Sequence, residues 1–261
     1  MKQNNRRKIR GYLELLLFLT LRQIKVRYKQ TVLGFGWAVL KPFMMMVVFS
    51  IVFSKFAGIG SDGVPYPIFS YSALLPWTFF SASLTTAVSS MVSHCNLIKQ
   101  IYFPREIFPL SAILAGLFDF FLASILFAGM LVFYRIPITP VMVYVIPLLL
   151  MMIAFTLAAA LFLSAFNVFY RDVEHAVAFV VQLLMFATPV VYSVSAVPAK
   201  YRFIYMLNPL AVIIDGFRRV VVQGEAPNIF YLAISVLLIG GLFALSYFYF
   251  KRMEMKFADI I

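Results

Sequence analysis

Charged side chains stand out in this chain because they interrupt sequence that could otherwise dissolve in lipid. Between two long apolar stretches, segment 96–107 carries Lys99, Arg105 and Glu106 among bulky apolar residues. Pro104 fixes a bend within it. Ion-pairing groups mixed with apolar side chains suit contact with another protein better than they suit catalysis. We therefore interpret this segment as a surface that a partner holds.

Ionisable residues also occur inside the apolar stretches. Asp119 lies about halfway along one of them, where a carboxylate is costly and indicates a functional site. It could serve a proton relay, or it could hydrogen-bond to a facing helix, since no basic partner is evident in a neighbouring stretch. Lys41 lies about two turns into another stretch, so we expect it to reach the membrane interface or to face a wet cavity.

Asp215 precedes Arg218 and Arg219 by three and four residues. On a helix this spacing places opposite charges on one face and permits an ion pair. We expect the pair to have a structural role.

Recognisable catalytic motifs are missing from the sequence. It contains no G-x-x-x-x-G-K-[ST] phosphate-binding loop, no H-E-x-x-H and no G-x-S-x-G. Cys95 is the single cysteine, and His94 and His175 are isolated, so neither a disulfide within the chain nor a metal site is predicted. Energy for any mechanical work has to come from elsewhere than a nucleotide site in this chain.

Composition predicts an all-α polytopic membrane protein. Hydrophobic residues make up 63% of the 261 residues and charged residues 12%, with a mean hydropathy of +0.95. A helix needs about 20 apolar residues to cross a bilayer. Six stretches qualify: 32–56, 68–92, 107–134, 141–166, 176–194 and 229–250.

The distribution of basic residues predicts the orientation. Lys and Arg are concentrated before the first stretch and in alternate connections, which places both termini in the cytoplasm. The net charge of +12 is spread along membrane boundaries, so lipid headgroups are its expected partners and nucleic acid is not. No cleavable signal peptide is predicted.

The chain is predicted to be one transmembrane domain, with an interfacial segment at residues 1–30, six spans within residues 31–250 and a cytoplasmic tail at residues 251–261. Apolar residues recur at helical spacing between residues 11 and 29, and basic residues crowd the later turns. This pattern fits a helix in the membrane interface or a simple basic anchor. Segment 195–227 is semi-apolar and broken by Pro and Gly, so we expect two short helices that dip into the outer leaflet.

Several motifs together resemble the permease subunit of type 2 ABC exporters, closest to the branch that exports lipid-linked polysaccharides. These include O-antigen, teichoic acid and capsule permeases. The motifs occur in family order and cover nearly the whole chain. They are Tyr28-Lys-Gln-Thr-Val-Leu-Gly34 followed by Trp37 and Pro42, Ile98-Lys-Gln-Ile-Tyr-Phe-Pro-Arg-Glu106, Phe169-Tyr-Arg-Asp-Val173, Thr188-Pro-Val-Val-Tyr192, and Asn208-Pro-Leu210 with Phe217-Arg218.

The resemblance implies a homodimer in the inner membrane, with each subunit docked to a separate cytoplasmic ATPase that binds ATP and Mg. It implies that one segment and one turn contact the ATPase. It also implies that a helix with basic and aromatic residues lies at the membrane surface near the ATPase, and that residues 195–224 form outer re-entrant helices. The coupling residues are Ile98, Lys99, Gln100, Tyr102, Phe103, Pro104, Arg105, Glu106, Tyr170, Arg171 and Asp172. The surface helix contains Arg22, Lys25, Arg27 and Tyr28, and the re-entrant helices contain Asn208, Pro209, Asp215 and Arg218.

Family channels are lined largely by the first and fifth spans, and aromatic faces pack well against sugar rings. The channel candidates are Phe35, Trp37, Phe43, Phe186 and Tyr192, each of which could equally face lipid. We expect an exporter of lipid-linked polysaccharide of the O-antigen type. The alternatives are an ABC exporter of drugs or other lipids, a proton-coupled transporter that uses Asp119, and a scaffold that transports nothing.

Overall fold

The computed structural model describes residues 2–100 and 103–257, which form helices and turns without a β-strand. We number ten α-helices in chain order: α1 Lys2–Tyr28, α2 Gly36–Phe49, α3 Tyr66–Ser93, α4 Cys95–Gln100, α5 Ile107–Phe133, α6 Val145–Phe169, α7 Val173–Phe186, α8 Ala199–Tyr205, α9 Pro209–Arg218 and α10 Ile229–Glu254. A π-helical segment, Ser50–Phe56, extends α2, and another, Arg219–Gln223, extends α9. Short 3₁₀ turns occur at Pro140–Tyr144 and Val194–Ala196.

Four helical stretches are long and apolar enough to cross a membrane: Gly36–Phe56, Ile107–Phe133, Pro140–Phe169 and Ile229–Glu254. They correspond to the first, third, fourth and sixth predicted spans. The chain is thus a polytopic helical membrane protein, while the count of six spans and the side of the termini stay predictions.

Helix α3 corresponds to the second predicted span, yet it is less apolar than the four stretches above because serines and threonines recur along it. Most of its side chains are buried, since α2, α5, α6, α7 and α9 pack around it. Its hydroxyls bond to carbonyls of the preceding turn, for example Ser72 to Phe69 at 2.7 Å. A helix surrounded by protein does not need a lipid-soluble surface.

The fifth predicted span, 176–194, is wrong in its second half. Helix α7 ends at Phe186, and at about 1.5 Å per residue its 14 residues reach about 21 Å, less than the roughly 30 Å hydrocarbon core. Residues 187–193 form turns instead. Pro189 lies within these turns, and their carbonyl groups bond to a buried arginine described below.

Helices α3 and α5 approach each other closely where Gly116 faces Ser83. A Cβ atom added to Gly116 would clash with the hydroxyl of Ser83 on α3. Stacked and edge-to-face aromatic pairs continue the contact on both sides, such as Phe79 with Phe120 at 5.9 Å between ring centroids. These two helices therefore form the rigid centre of the bundle.

A second buried cluster lies where α1, the start of α5 and the ends of α3, α6 and α10 meet. Its largest members are Phe108, Phe250 and Phe257. The N-terminal segment forms the helix α1, on which Leu16 and Leu19 are buried in this cluster, and its place in the membrane interface stays a prediction. The prediction of two short helices before the last span is confirmed, as α8 and α9.

Candidate functional site

The segment predicted to couple to a partner lies between α3 and α5. It begins with α4 and continues through Phe103 and Pro104 into α5. Lys99 and Pro104 are exposed, whereas Phe103 is half-buried and packs edge-on against Phe108 at 5.3 Å. Ile98 and Gln100 belong to α4 by their backbone, and Tyr102 lies outside the described residues.

Arg105 connects this segment to the end of α10. Its backbone N–H donates to Glu254 Oε1 at 3.0 Å, and its guanidinium donates to the Glu254 carbonyl. The guanidinium also lies over the ring of Phe257. Only 9% of Arg105 is exposed. An arginine predicted as part of a free surface is thus bound within the chain.

Glu106 continues the same connection. Its carboxylate accepts a hydrogen bond from Lys251 Nζ at 2.8 Å, and Lys251 also binds Glu254 at 2.9 Å. Arg105, Glu106, Lys251 and Glu254 form one network, which we call the α5–α10 latch. It joins the start of α5 to the end of α10 across nearly 150 residues of sequence. Arg105 and Glu106 are thus held within the chain rather than fully exposed, and their role in coupling to an ATPase stays a prediction.

The second predicted contact, Tyr170 to Asp172, lies at the same end of the molecule. All three of its residues are exposed. The turn is positioned by Asn167, whose amide donates to the Val88 carbonyl at 3.2 Å and accepts from the Glu174 N–H at 3.2 Å. Phe169 contacts Phe257, the residue that lies under Arg105. Two exposed surfaces, at Lys99 with Pro104 and at this turn, therefore flank the latch, and their contact with an ATPase stays a prediction.

The predicted interface residues of α1 have two different environments. Arg22 and Lys25 are exposed, while Arg27 and Tyr28 both bind the carboxylate of Asp119 on α5. Burial and the hydrogen bond to Asp119 raise the pKa of the Tyr28 hydroxyl above its usual value, so it stays a donor. Asp119 has no basic partner in a neighbouring span among the described residues, as expected, but it has one in α1, which the sequence did not indicate. A carboxylate held by two donors offers little to a proton relay.

The channel candidates are in different environments. Phe35 is half exposed and packs against Tyr28 and Phe118, Trp37 lines a cavity, and Phe43 packs against the main core. Phe186 is exposed at the end of α7. Tyr192 donates to the Phe186 carbonyl at 2.8 Å. No common lining forms within the single subunit, and a role in a channel stays a prediction for all five residues.

Arg218 does not form the predicted ion pair. Its guanidinium is fully buried and donates to the carbonyls of Pro189 at 2.7 Å, Val190 at 3.2 Å and Tyr192 at 3.3 Å. It also lies 3.7 Å over the ring of Phe69. The turns after α7 expose carbonyls that no helix satisfies, and this guanidinium satisfies three of them.

The other residues predicted for the outer re-entrant helices make contacts of their own. Arg219 pairs with Glu225 at 2.7 Å rather than with Asp215, and Asp215 lines a polar cavity with Asp62. Asn208 caps α9 by accepting from the Leu210 N–H at 3.1 Å, with Pro209 at the first helical position.

The sequence reasoning missed Lys251, Glu254 and Asp62 as site residues. Asp62, in the loop after α2, accepts hydrogen bonds from Ser193 and from Ser195, the latter at 2.8 Å. The spacing of Lys251 and Glu254 indicates an i,i+3 pair. Nothing in the spacing indicates their distant partners.

Comparisons with known proteins match this architecture. Residues 14–222 match the family described as ABC-2 type transporter. The chain is 29% identical over 257 residues to an O-antigen export system permease protein RfbA of Klebsiella pneumoniae, with 96% of each chain covered. It is 30% identical over 264 residues to the RfbA permease of Myxococcus xanthus, with 98% of each covered. It is 22% identical over 228 residues to the polysialic acid transport protein KpsM of Escherichia coli, with 84% of this chain and 86% of KpsM covered. The chain therefore belongs to the ABC-2 type transporter family.

Proposed function

We propose that this chain is the membrane permease of an ATP-driven exporter that moves lipid-linked polysaccharide of the O-antigen type. The observation that carries the proposal is the similarity to O-antigen export permeases along nearly the whole length of both chains. KpsM, whose name describes polysialic acid transport, supports the same substrate class. These relatives favour polysaccharide over drugs as the transported substrate.

In this proposal the permease is a homodimer in the inner membrane with six spans per subunit and both termini in the cytoplasm. A separate ATPase binds ATP and Mg and supplies the energy. The basic N-terminus and the basic end of α10 support the cytoplasmic placement of the latch.

The exposed surfaces beside the latch are the proposed ATPase contacts. Lys99, Pro104 and Arg171 present charge and a rigid bend to the cytoplasm. A push on this segment acts directly on α3 and α5, which it joins. Through Arg105 and Glu106 it also acts on α10. ATP hydrolysis by the partner thus moves three helices, α3, α5 and α10.

Co-expression with the partner ATPase tests the coupling. We expect Pro104→Gly or Lys99→Glu to leave the permease in the membrane but to lower the amount of ATPase that co-purifies and its substrate-stimulated hydrolysis. Lys55→Glu is the matched control, because Lys55 is exposed near the far end of the extended α2. Unchanged coupling in both test variants would contradict the proposed contact.

Complementation tests the substrate. A strain that lacks the permease should accumulate lipid-linked polysaccharide on the cytoplasmic face and recover export when this chain is restored. Recovery that survives ATP depletion but is lost when the proton gradient collapses would contradict ATP-driven export.

A further inference from the structure

A cavity of about 630 Å³ lies among the end of α1, α2, α3 and α5. Lys41 and Asp119, which the sequence places inside two different apolar stretches, both line it. Two costly residues that meet at one cavity indicate a binding site, because an intramembrane charge is retained when it serves function. The volume lies within the range of small-molecule sites, roughly 300–1,000 Å³.

The charges that line this cavity do not balance. Arg27 and Asp119 form an ion pair, to which Tyr28 donates a further hydrogen bond. Among the residues that the structure describes, no carboxylate lies within 4.0 Å of Lys41 Nζ. The lining therefore carries one positive charge in excess, on Lys41, which is exposed and so accessible to a ligand. An anion is the occupant whose charge complements it.

Helix α3 contributes a row of hydroxyls to the opposite wall. Thr78, Ser81 and Thr85 donate their hydrogens to carbonyls one turn earlier in α3, at 3.1, 3.3 and 2.8 Å. Their oxygen lone pairs stay available to accept hydrogen bonds from a ligand. Hydroxyl groups of a sugar are suitable donors.

The remaining walls are apolar and aromatic. Pro42, Met45 and Phe120 form part of the lining, and Trp37, which is 40% exposed, lies beside the cavity. A ligand that fits this lining has an anionic part, hydrogen-bond donors and an apolar part. A phosphorylated lipid that carries a sugar has all three.

We propose that this cavity binds the phosphate end of a lipid-linked sugar, with Lys41 as the cation that contacts the phosphate. The lipid class rests on the proposed function, whereas the anionic requirement rests on the charges of the cavity alone. The α3 hydroxyls accept from the sugar next to the phosphate, and the lipid chain leaves along the apolar wall into the membrane.

Tryptophan fluorescence can measure binding, because Trp37 and Trp77 are the two tryptophans of the chain. Trp77 is buried in α3, so a Trp77→Phe background leaves Trp37 as the reporter. The purified permease is titrated in detergent with polyprenyl monophosphate, with polyprenol and with inorganic phosphate. Native mass spectrometry of the wild-type chain with the same three probes provides an independent measurement if the background variant does not fold.

We expect polyprenyl monophosphate to shift the Trp37 emission with saturation and to bind at least about tenfold more tightly than polyprenol. Lys41→Met should remove most of this difference, since hydrogen bonds to a charged group are lost, and Lys41→Arg should keep it. Lys55→Met, which changes a lysine outside the cavity, should have no effect. Equal binding of polyprenol and its phosphate, or unchanged binding in Lys41→Met, would overturn the proposal. A response to inorganic phosphate as strong as that to the lipid would overturn the lipid assignment.

The export assay tests the proposed function, and the binding assay tests the cavity assignment, so the two can fail independently. Failure of the chain to restore polysaccharide export would contradict the proposed function, while phosphate-dependent lipid binding would still support the cavity assignment. Restored export with no phosphate dependence of binding would contradict the cavity assignment alone.

Discussion

Two arginines, Arg218 and Arg105, are buried at two separate places in this permease, and they are bound in different ways. Arg218 donates to three carbonyls of one turn and lies over an aromatic ring, with no carboxylate within ion-pair distance in the described part of the chain. Arg105 donates through its guanidinium to the backbone carbonyl of Glu254 and through its own N–H to the Glu254 carboxylate, at the end of a distant helix and next to the partly exposed ion pairs of Lys251.

We call the contact at Arg218 the fixed joint and the latch the movable joint, because the two differ in how easily their bonds break. Arg218 is fully buried and its carbonyl partners lie in one turn, so water does not replace them and the turn is held to α9. Ion pairs near water can break and re-form at little cost, because solvent compensates the separated charges. The pairs of Lys251 with Glu106 and Glu254 are of this kind, so we infer that the latch can open there, beside the surfaces that we assign to the ATPase.

The largest expected effect follows from removing the fixed joint. Arg218→Met should lower the free energy of unfolding by about 3 kcal/mol or more, since three buried carbonyls lose their donor. Chemical unfolding in detergent measures this loss. Arg219→Met is the matched control and should cost less than about 1 kcal/mol, because its pair with Glu225 is partly exposed. Equal losses in the two variants would contradict the account of Arg218.

Removing the movable joint should have a smaller effect on stability. Arg105→Met should cost about 2 kcal/mol through the lost hydrogen bond from the guanidinium to the Glu254 carbonyl, while the backbone N–H bond to Glu254 remains. It should also increase amide hydrogen exchange at the end of α10. Lys99→Met, at an exposed position in the same segment, should change stability by less than about 0.5 kcal/mol. Unchanged exchange at the end of α10 would show that the latch does not hold this helix.

We expect the contact at Asp119 to contribute an intermediate amount to stability, because its carboxylate binds one cation, Arg27, and one hydroxyl, that of Tyr28. Asp119→Asn should cost about 1–2 kcal/mol and should increase hydrogen exchange at the end of α1. The exposed pair of Arg10 and Glu14 on the same helix is the control, and Glu14→Gln should cost no more than about 0.5 kcal/mol. A loss of transport without any change in α1 would instead favour a direct role for Asp119 in transport.

The smallest expected effect concerns the exposed half of the latch. A double-mutant cycle of Glu106→Gln and Lys251→Met should give a coupling energy of about 0.2–1 kcal/mol, because both side chains are partly exposed, at 20% and 33%. The coupling energy should fall as salt is added. A coupling of several kcal/mol that does not depend on salt would make this joint as fixed as that of Arg218.

Apolar length predicted the spanning helices well, because α5, α6 and α10 begin and end within a few residues of the predicted stretches. It did not predict the end of α7 at Phe186, since the turns that follow it are as apolar as a helix and are stabilised by Arg218 from another element. The charged residues were recognised as important. Their partners could not be predicted, because Arg27 meets Asp119 and Arg105 meets Glu254 only after the chain has folded, 92 and 149 residues apart.

The tight contact between Gly116 and Ser83 limits how a force can travel through the bundle. Where Gly116 faces Ser83 there is no room for a methyl group, so α3 and α5 cannot move closer at this level of the bundle. If a partner pushes on the segment that joins them, as proposed, we expect the two helices to move together here. We expect the larger displacements at α2 and α7, where few buried side chains hold the helix.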